Sequence, residues 1–179
     1  MAEWFRRQSA KIKTRDRKEI AEGTWLKCPQ CHDVLYRTML EENYYICTNC
    51  KHHFRINAFD YVNLLLDKGE FIEIAQNVKS VDPLNFIATK KYLDQLHNAS
   101  LKNNGRDAVI TLCGTINNIE VALAIMDFQF IGGSMGSVVG EKLSQIIDFA
   151  MEKKIPLIII TASGGARMQE GVYSLMQMA

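Results

Sequence analysis

Four of the five cysteines lie between positions 28 and 50, as Cys28-Pro29-Gln30-Cys31 and Cys47-Thr48-Asn49-Cys50, with fifteen residues between the pairs. Each C-x-x-C turns tightly enough to aim two thiolates at one ion, and two such knuckles complete a tetrahedral site of the zinc-ribbon kind. Four thiolates leave no coordination position for water, so Zn2+ held by Cys28, Cys31, Cys47 and Cys50 organises a fold and performs no chemistry. Disulfides and a redox C-x-x-C are the competing readings. A cytosolic setting disfavours the first and duplication of the pair disfavours the second. His32, His52 and His53 flank the knuckles, but the cysteines already fill the coordination sphere.

A second set of candidates is glycine. Ser163-Gly164-Gly165-Ala166-Arg167-Met168-Gln169-Glu170-Gly171 follows an aliphatic run, and Gly132-Gly133-Ser134-Met135-Gly136-Ser137 stands at an earlier strand-to-helix junction. A glycine turn in that place exposes main-chain N–H groups beside a helix N-terminus, which suits an anion, and the missing Cβ lets a carbonyl oxygen approach. Neither string fits G-x-x-x-x-G-K-[ST] or G-x-G-x-x-G, so an ATP-type P-loop and a Rossmann site have no support. Taken alone, such turns are as often simple connections.

The elements that must position these residues fall into two pieces. Tyr44, Tyr45 and Ile46 read as a strand entering the second knuckle, within a ribbon over 25–56. Asn57 can cap a helix whose apolar stripe is Phe59, Val62, Leu65 and Leu66 and which Gly69 can end, and a second helix is predicted over Lys90 to Leu101. Ala108 to Ile116 and Ile119 to Met126 are β-rich runs joined at Asn117-Asn118, a dipeptide that tolerates the positive φ of a tight hairpin. Val139, Leu143, Ile146, Ile147 and Ala150 mark one helix face, and Leu157 to Ile160 reads as a fully buried strand. A last helix starts near Met168 and runs to the end. The rhythm is ββα then βα, an α/β domain over 57–179 that reads as unfinished. Cys113, inside a predicted strand, and the eight methionines read as packing residues.

With 179 residues, 47% hydrophobic and 23% charged, the chain has the composition of a globular protein with one core and a small appendage. Its aliphatic run Leu157 to Ile160 falls far short of the roughly 20 apolar residues of a membrane span. Residues 1–55 carry 11 Lys/Arg against 7 Asp/Glu and the rest 10 against 13. The basic tail, 1–24, has no apolar h-region behind it, which points to the cytoplasm and away from secretion. Together with Lys27, Lys51, His52, His53 and Arg55 it leaves nucleic-acid contact as an alternative use of the ribbon, although solvated charge is the commoner meaning.

Asp127-Phe128-Gln129-Phe130-Ile131, the first glycine string, Val138-Val139-Gly140-Glu141-Lys142 and then Ser163 to Gly171 resemble the β subunit of bacterial and plastid acetyl-CoA carboxylase carboxyltransferase, a family also marked by an amino-terminal four-cysteine ribbon. The resemblance implies a crotonase-like (ClpP/crotonase) fold of ββα repeats behind the zinc ribbon, cut short at its C-terminus because family members continue further. It also implies transfer of a carboxyl group from biotin, borne on the biotin carboxyl carrier protein, to acetyl-CoA. The product would be malonyl-CoA, in the first committed step of fatty acid synthesis. The implied partners are the carboxyltransferase α subunit in an α2β2 heterotetramer, the carrier protein and biotin carboxylase, in the cytoplasm or a plastid stroma. Under this resemblance Gly164 and Gly165 are expected to donate N–H groups to an enolate or ureido oxygen. Gly132, Gly133, Ser134 and Gly136 are expected to shape the acyl-CoA pocket. Arg167 either faces a phosphate or carboxylate or pairs with Glu170 on its own helix. The 179-residue chain alone is expected to show no transfer.

Overall fold

The computed structural model describes residues 24–67 and 71–177; the basic tail up to residue 23, and Gly69, lie outside them. The chain divides into two units, one ending at Phe54 and the other beginning at Arg55. Among the described residues no helix is long and apolar enough to cross a membrane.

In the first unit β1 (Trp25–Lys27) and β2 (Val34–Tyr36) pair antiparallel, so the first C-x-x-C sits in the turn of a hairpin. Trp25 lies opposite Tyr36, with ring centroids 5.2 Å apart, a cross-strand aromatic pair of the kind that fixes register. Helix α1 (Arg37–Glu42), which has no counterpart in the sequence reading, follows at once and buries Leu40. The strand expected over Tyr44 to Ile46 is a single bridge between Ile46 and His53. Tyr44 and Tyr45 instead take left-handed backbone, with φ of 55° and 59°, because they turn the chain out of α1. The Tyr45 N–H bonds the Leu40 carbonyl and the Asn43 side-chain amide closes onto the Ile46 carbonyl.

The second unit starts with α2 (Ala58–Leu65), capped as its sequence requires: Asn57 accepts from the Asp60 N–H while Asp60 accepts from the Asn57 N–H, a reciprocal capping box. Then come β3 (Ile72–Glu73), α3 (Tyr92–Lys102), β4 (Val109–Ile116), β5 (Ile119–Met126), α4 (Ser137–Lys153), β6 (Leu157–Ile160) and α5 (Val172–Met176). The sheet runs β3-β4-β5-β6, antiparallel except for the parallel pair β5/β6, which α4 connects. The two-residue period of β5 supplies both faces. Val121, Leu123 and Ile125 pack with Ala58 and Val62 of α2, whereas Ala122, Ala124 and Met126 join Val139, Ile146 and Ala150 of α4 and Tyr92, Leu96 and Ala99 of α3.

Two expectations fail here for tertiary reasons. Strand β6 is not fully buried, with Ile158 and Ile159 about 40% exposed, because no described strand pairs with its outer edge. The helix expected to run from Met168 is a 3-10 turn, Met168–Glu170, broken from the five residues of α5 at Gly171, whose φ is 54°.

The hairpin at Asn117-Asn118 forms as read, with φ of 51° and 64°, and Asp67 holds it by accepting the N–H groups of Asn117 and Asn118 at 3.0 and 2.8 Å. Those N–H groups, that of Asn118 first, hold the Asp67 carboxyl below the usual carboxylate range. A lowered folded-state pKa contributes stability above the unfolded value, and the contribution disappears as pH falls through the folded value. Asp67→Ala is therefore expected to lower the urea midpoint at neutral pH and to converge on the wild type in acid. An equal loss at every pH would contradict this.

Candidate functional site

The four cysteines of the ribbon converge. Cys28 and Cys50 sulfurs stand 3.6 Å apart, those of Cys31 and Cys47 3.7 Å, and all four lie within 4.8 Å of one another. A tetrahedron with Zn–S bonds of about 2.3 Å has edges of about 3.8 Å, so the cage has the size of a zinc site and the sulfurs are too far apart for disulfides. The two knuckles repeat one hydrogen-bond pattern. Cys28 N–H bonds Asp33 O while His32 N–H bonds Cys28 O; Cys47 N–H bonds His52 O while Lys51 N–H bonds Cys47 O. His32 and Lys51 each take φ of 62° to close the turn. Burial raises the Cys28 thiol pKa, but the N–H groups of Cys31 and Gln30 outweigh it and bring the value down to about 7. Burial, with the neighbouring thiols, pushes Cys50 up to about 12. Four thiols this close ionise together only against a cation. His32, His52 and His53 stay outside the group.

In the second unit the two glycine strings are stitched backbone to backbone. Gly164 N–H donates to Gly132 O, Met135 N–H to Gly165 O and Arg167 N–H to Met135 O, each at 2.9 Å, with Met135 and Ala166 forming a parallel bridge. The approach is close enough to exclude side chains: a Cβ on Gly133 would stand 2.2 Å from the Ala162 carbonyl oxygen. Ile131, Gly132 and Gly133 all take left-handed backbone, φ 45°, 65° and 65°, and a β-branched residue there marks strain.

This stitching reassigns the donors. The Gly164 N–H, expected to meet a ligand oxygen, is committed to Gly132. The Gly165 N–H meets only the exposed Ser163 hydroxyl, at 3.0 Å. Met135 makes both bonds of this parallel bridge, its N–H to Gly165 and its carbonyl from Arg167, so the N–H of Ala166 between those two residues points away from Met135, and Ala166 is exposed. The free edge of the turn is Gly165-Ala166, one residue beyond the expected pair. Of the first string only Gly132 has open space where a Cβ would be.

Arg167 is completely buried and spends every N–H within the protein. Its Nη2 bonds Asp107 at 3.1 Å and the Ser134 carbonyl at 2.8 Å; Nη1 lies 2.8 Å from Ser80, 3.2 Å from the Tyr92 hydroxyl and 3.2 Å from Glu170; Nε bonds the Ser134 hydroxyl at 3.2 Å. Of the two readings of Arg167, the pair with Glu170 is present and no nitrogen remains for a substrate anion. Ser134 is likewise occupied by Arg167. Glu170, also fully buried, accepts from the Tyr92 hydroxyl at 2.5 Å and from the Ser137 N–H at 2.6 Å. The N-terminus of α4, expected to be open to a ligand, thus already holds a carboxylate. A Cβ on Gly136 would meet Glu170 at 2.5 Å, so that glycine serves packing. Asp107, Ser80 and Tyr92 went unnoticed in the sequence because they lie 60 to 87 residues from Arg167, with no local pattern to announce them.

Residues 60–179 match the family model described as carboxyl transferase domain, and residues 25–50 match the acetyl-CoA carboxylase zinc finger domain. The chain belongs to the carboxyl transferase family, and its α/β unit has that family's crotonase-like fold. It is 45% identical over 98% of its length to the acetyl-coenzyme A carboxylase carboxyl transferase subunit beta of Chlorobium phaeobacteroides, 47% to that of Chlorobium luteolum, and 45% over 99% to that of Synechococcus sp. (strain WH7803). It spans 62–63% of the length of these curated relatives. Among solved structures, transcarboxylase 12S with methylmalonyl-coenzyme A and methylmalonic acid bound superposes with a TM-score of 0.54 at 27% identity, over 69% of this chain and 22% of that one.

Proposed function

We propose that this chain is the β-subunit part of a carboxyltransferase that moves a carboxyl group from biotin on a carrier protein to acetyl-CoA, forming malonyl-CoA for fatty acid synthesis. The observation that carries the reading is the Gly165-Ala166 turn, where the Ala166 N–H points away from the bridge and the Gly165 N–H is held only by the exposed Ser163 hydroxyl, above left-handed backbone at Ile131. Taking a proton from the thioester methyl puts negative charge on the thioester oxygen, and preorganised N–H donors at that oxygen are worth about 10²- to 10³-fold in rate each. Gly165, lacking Cβ, admits the oxygen, and Ala166 supplies the second donor. Arg167 positions the turn from beneath. Gly132 borders the space the acyl group would fill. Biotin on its carrier would supply both the CO₂ that the enolate carbon captures and the ureido nitrogen that takes the methyl proton, so this chain is not required to provide a histidine or glutamate base. The Zn2+ of the ribbon is structural. An α subunit in an α2β2 assembly, the carrier protein and biotin carboxylase are the proposed partners, in the cytoplasm or a plastid stroma.

The described residues of the ribbon do not favour a nucleic-acid reading. Lys27, Arg37, Lys51 and Arg55 stand against Asp33, Glu41 and Glu42, an excess of a single positive charge, which is little for a phosphate backbone. The native polypeptide carrying this sequence, supplied with the partner subunit, carboxylated carrier and labelled acetyl-CoA, is expected to form malonyl-CoA. Turnover of other acyl-CoA thioesters with none of acetyl-CoA would replace the substrate, and no transfer to any thioester would overturn the function.

A further inference from the structure

Ion pairing explains only part of the arginine at position 167. Asp107 and Glu170 need a cation, and an ammonium would serve, yet Nε bonds the Ser134 hydroxyl at 3.2 Å and one proton of Nη2 goes to the Ser134 carbonyl at 2.8 Å. The guanidinium fork therefore grips residue 134 by side chain and main chain at once, which the single nitrogen of a lysine cannot do from the same place. Arg167 is completely buried, a setting in which a hydrogen bond is stronger than in water.

The grip on Ser134 reaches the surface through the main chain. The Ser134 carbonyl belongs to the same peptide group as the Met135 N–H, which donates to the Gly165 carbonyl at 2.9 Å. The Gly165 carbonyl in turn belongs to the same peptide group as the Ala166 N–H. None of the described peptide bonds is cis, so in each group the N–H points opposite to its carbonyl. A line of hydrogen bonds thus starts at a buried cation, crosses two peptide groups and leaves the protein at the Ala166 N–H. Its first bond is charge-assisted, roughly twice as strong as a neutral one, and each bond in such a line strengthens the next by about 10–30%.

We propose that Arg167 is a positioning residue for the reaction, aiming and strengthening the Ala166 N–H through the Ser134–Met135 and Gly165–Ala166 peptide groups. The oxygen that benefits is the thioester oxygen of the acyl-CoA reading, whereas the line of bonds is independent of that reading. Two changes interrupt the line without orphaning the buried acids. Arg167→Lys keeps a counter-charge for Asp107 and Glu170 and loses the fork. An ester in place of the Ser134–Met135 amide, made by inserting the α-hydroxy analogue of methionine at position 135, weakens the carbonyl and deletes the N–H while every side chain stays. In the native polypeptide with its partner subunit, each change is expected to lower kcat about tenfold or more at unchanged KM for acetyl-CoA, the pattern of an interaction realised in the transition state. In nitrogen-labelled amide spectra of the chain, the Ala166 proton is expected to move upfield in both. Asp67→Ala, which loosens the Asn117-Asn118 hairpin, is the control for lost stability and is expected to leave kcat and the Ala166 proton where they are. If Arg167→Lys does not fold, the ester decides alone. Wild-type kcat in the ester chain, an unmoved Ala166 proton, or an equal loss of kcat in Asp67→Ala would each overturn the proposal. An Ala166 proton that moves as expected in a polypeptide that transfers no carboxyl group would uphold the line of bonds while the proposed function fell.

Discussion

Replacing Arg167 with methionine is expected to unfold the second unit, residues 55–177, while the ribbon retains its metal. Removing the guanidinium leaves Asp107 and Glu170 buried, 5% and 0% exposed, without their counter-charge. Breaking a buried pair in this way typically costs about 3–5 kcal/mol, and here one residue serves two carboxylates. Domain stabilities are about 5–15 kcal/mol, so the loss takes much of the total. Neutralising the orphaned acids restores part of it: the triple variant Arg167→Met, Asp107→Asn, Glu170→Gln is expected to melt above Arg167→Met alone. Thermal melts by circular dichroism alongside zinc analysis check both statements. An Arg167→Met chain melting like the wild type would show that the network is dispensable.

The second large effect belongs to the ribbon. Cys47→Ser is expected to bring the metal content from one zinc per chain to near zero after dialysis and to unfold residues 25–54, leaving the melt of the other unit in place. The ribbon has only the short strands β1 and β2, helix α1 and Leu40 as a core, too little to fold without a staple. Structural zinc contributes about 10–16 kcal/mol in apparent binding energy to such modules. Elemental analysis with proteolysis of the ribbon is the check. A Cys47→Ser ribbon that resists protease without metal would refute the role given to zinc.

What the sequence made legible was local. The C-x-x-C spacing, the capping signal at Asn57 and the hairpin at Asn117-Asn118 each act within a few residues, and each is in place. Tyr44 and Tyr45 misled because aromatic residues favour strands, while their backbone is set by the exit from α1. Gly164 was the natural choice of donor because it opens the turn. Its N–H is consumed by Gly132, thirty-two positions earlier, and only the pairing direction of the Met135–Ala166 bridge shows that the free edge lies one residue further on. Arg167 carried two readings, a ligand anion or the pair with Glu170 three residues on, and the pair is the one that forms; its other partners, Asp107, Ser80 and Tyr92, come from segments that the fold, not the neighbourhood in sequence, brings to it.

The most direct test of the account is therefore the kinetics of Ala166→Pro in the native polypeptide with its partner subunit. Proline deletes the one N–H that the bridge turns outward, while the bonds of Met135 to Gly165 and of Arg167 to Met135 use other atoms. The account predicts a fall in kcat of about 10²- to 10³-fold, with zinc content and Tm retained and with Ala166→Ser, which keeps the N–H, close to the wild type. Unimpaired turnover by Ala166→Pro would contradict it.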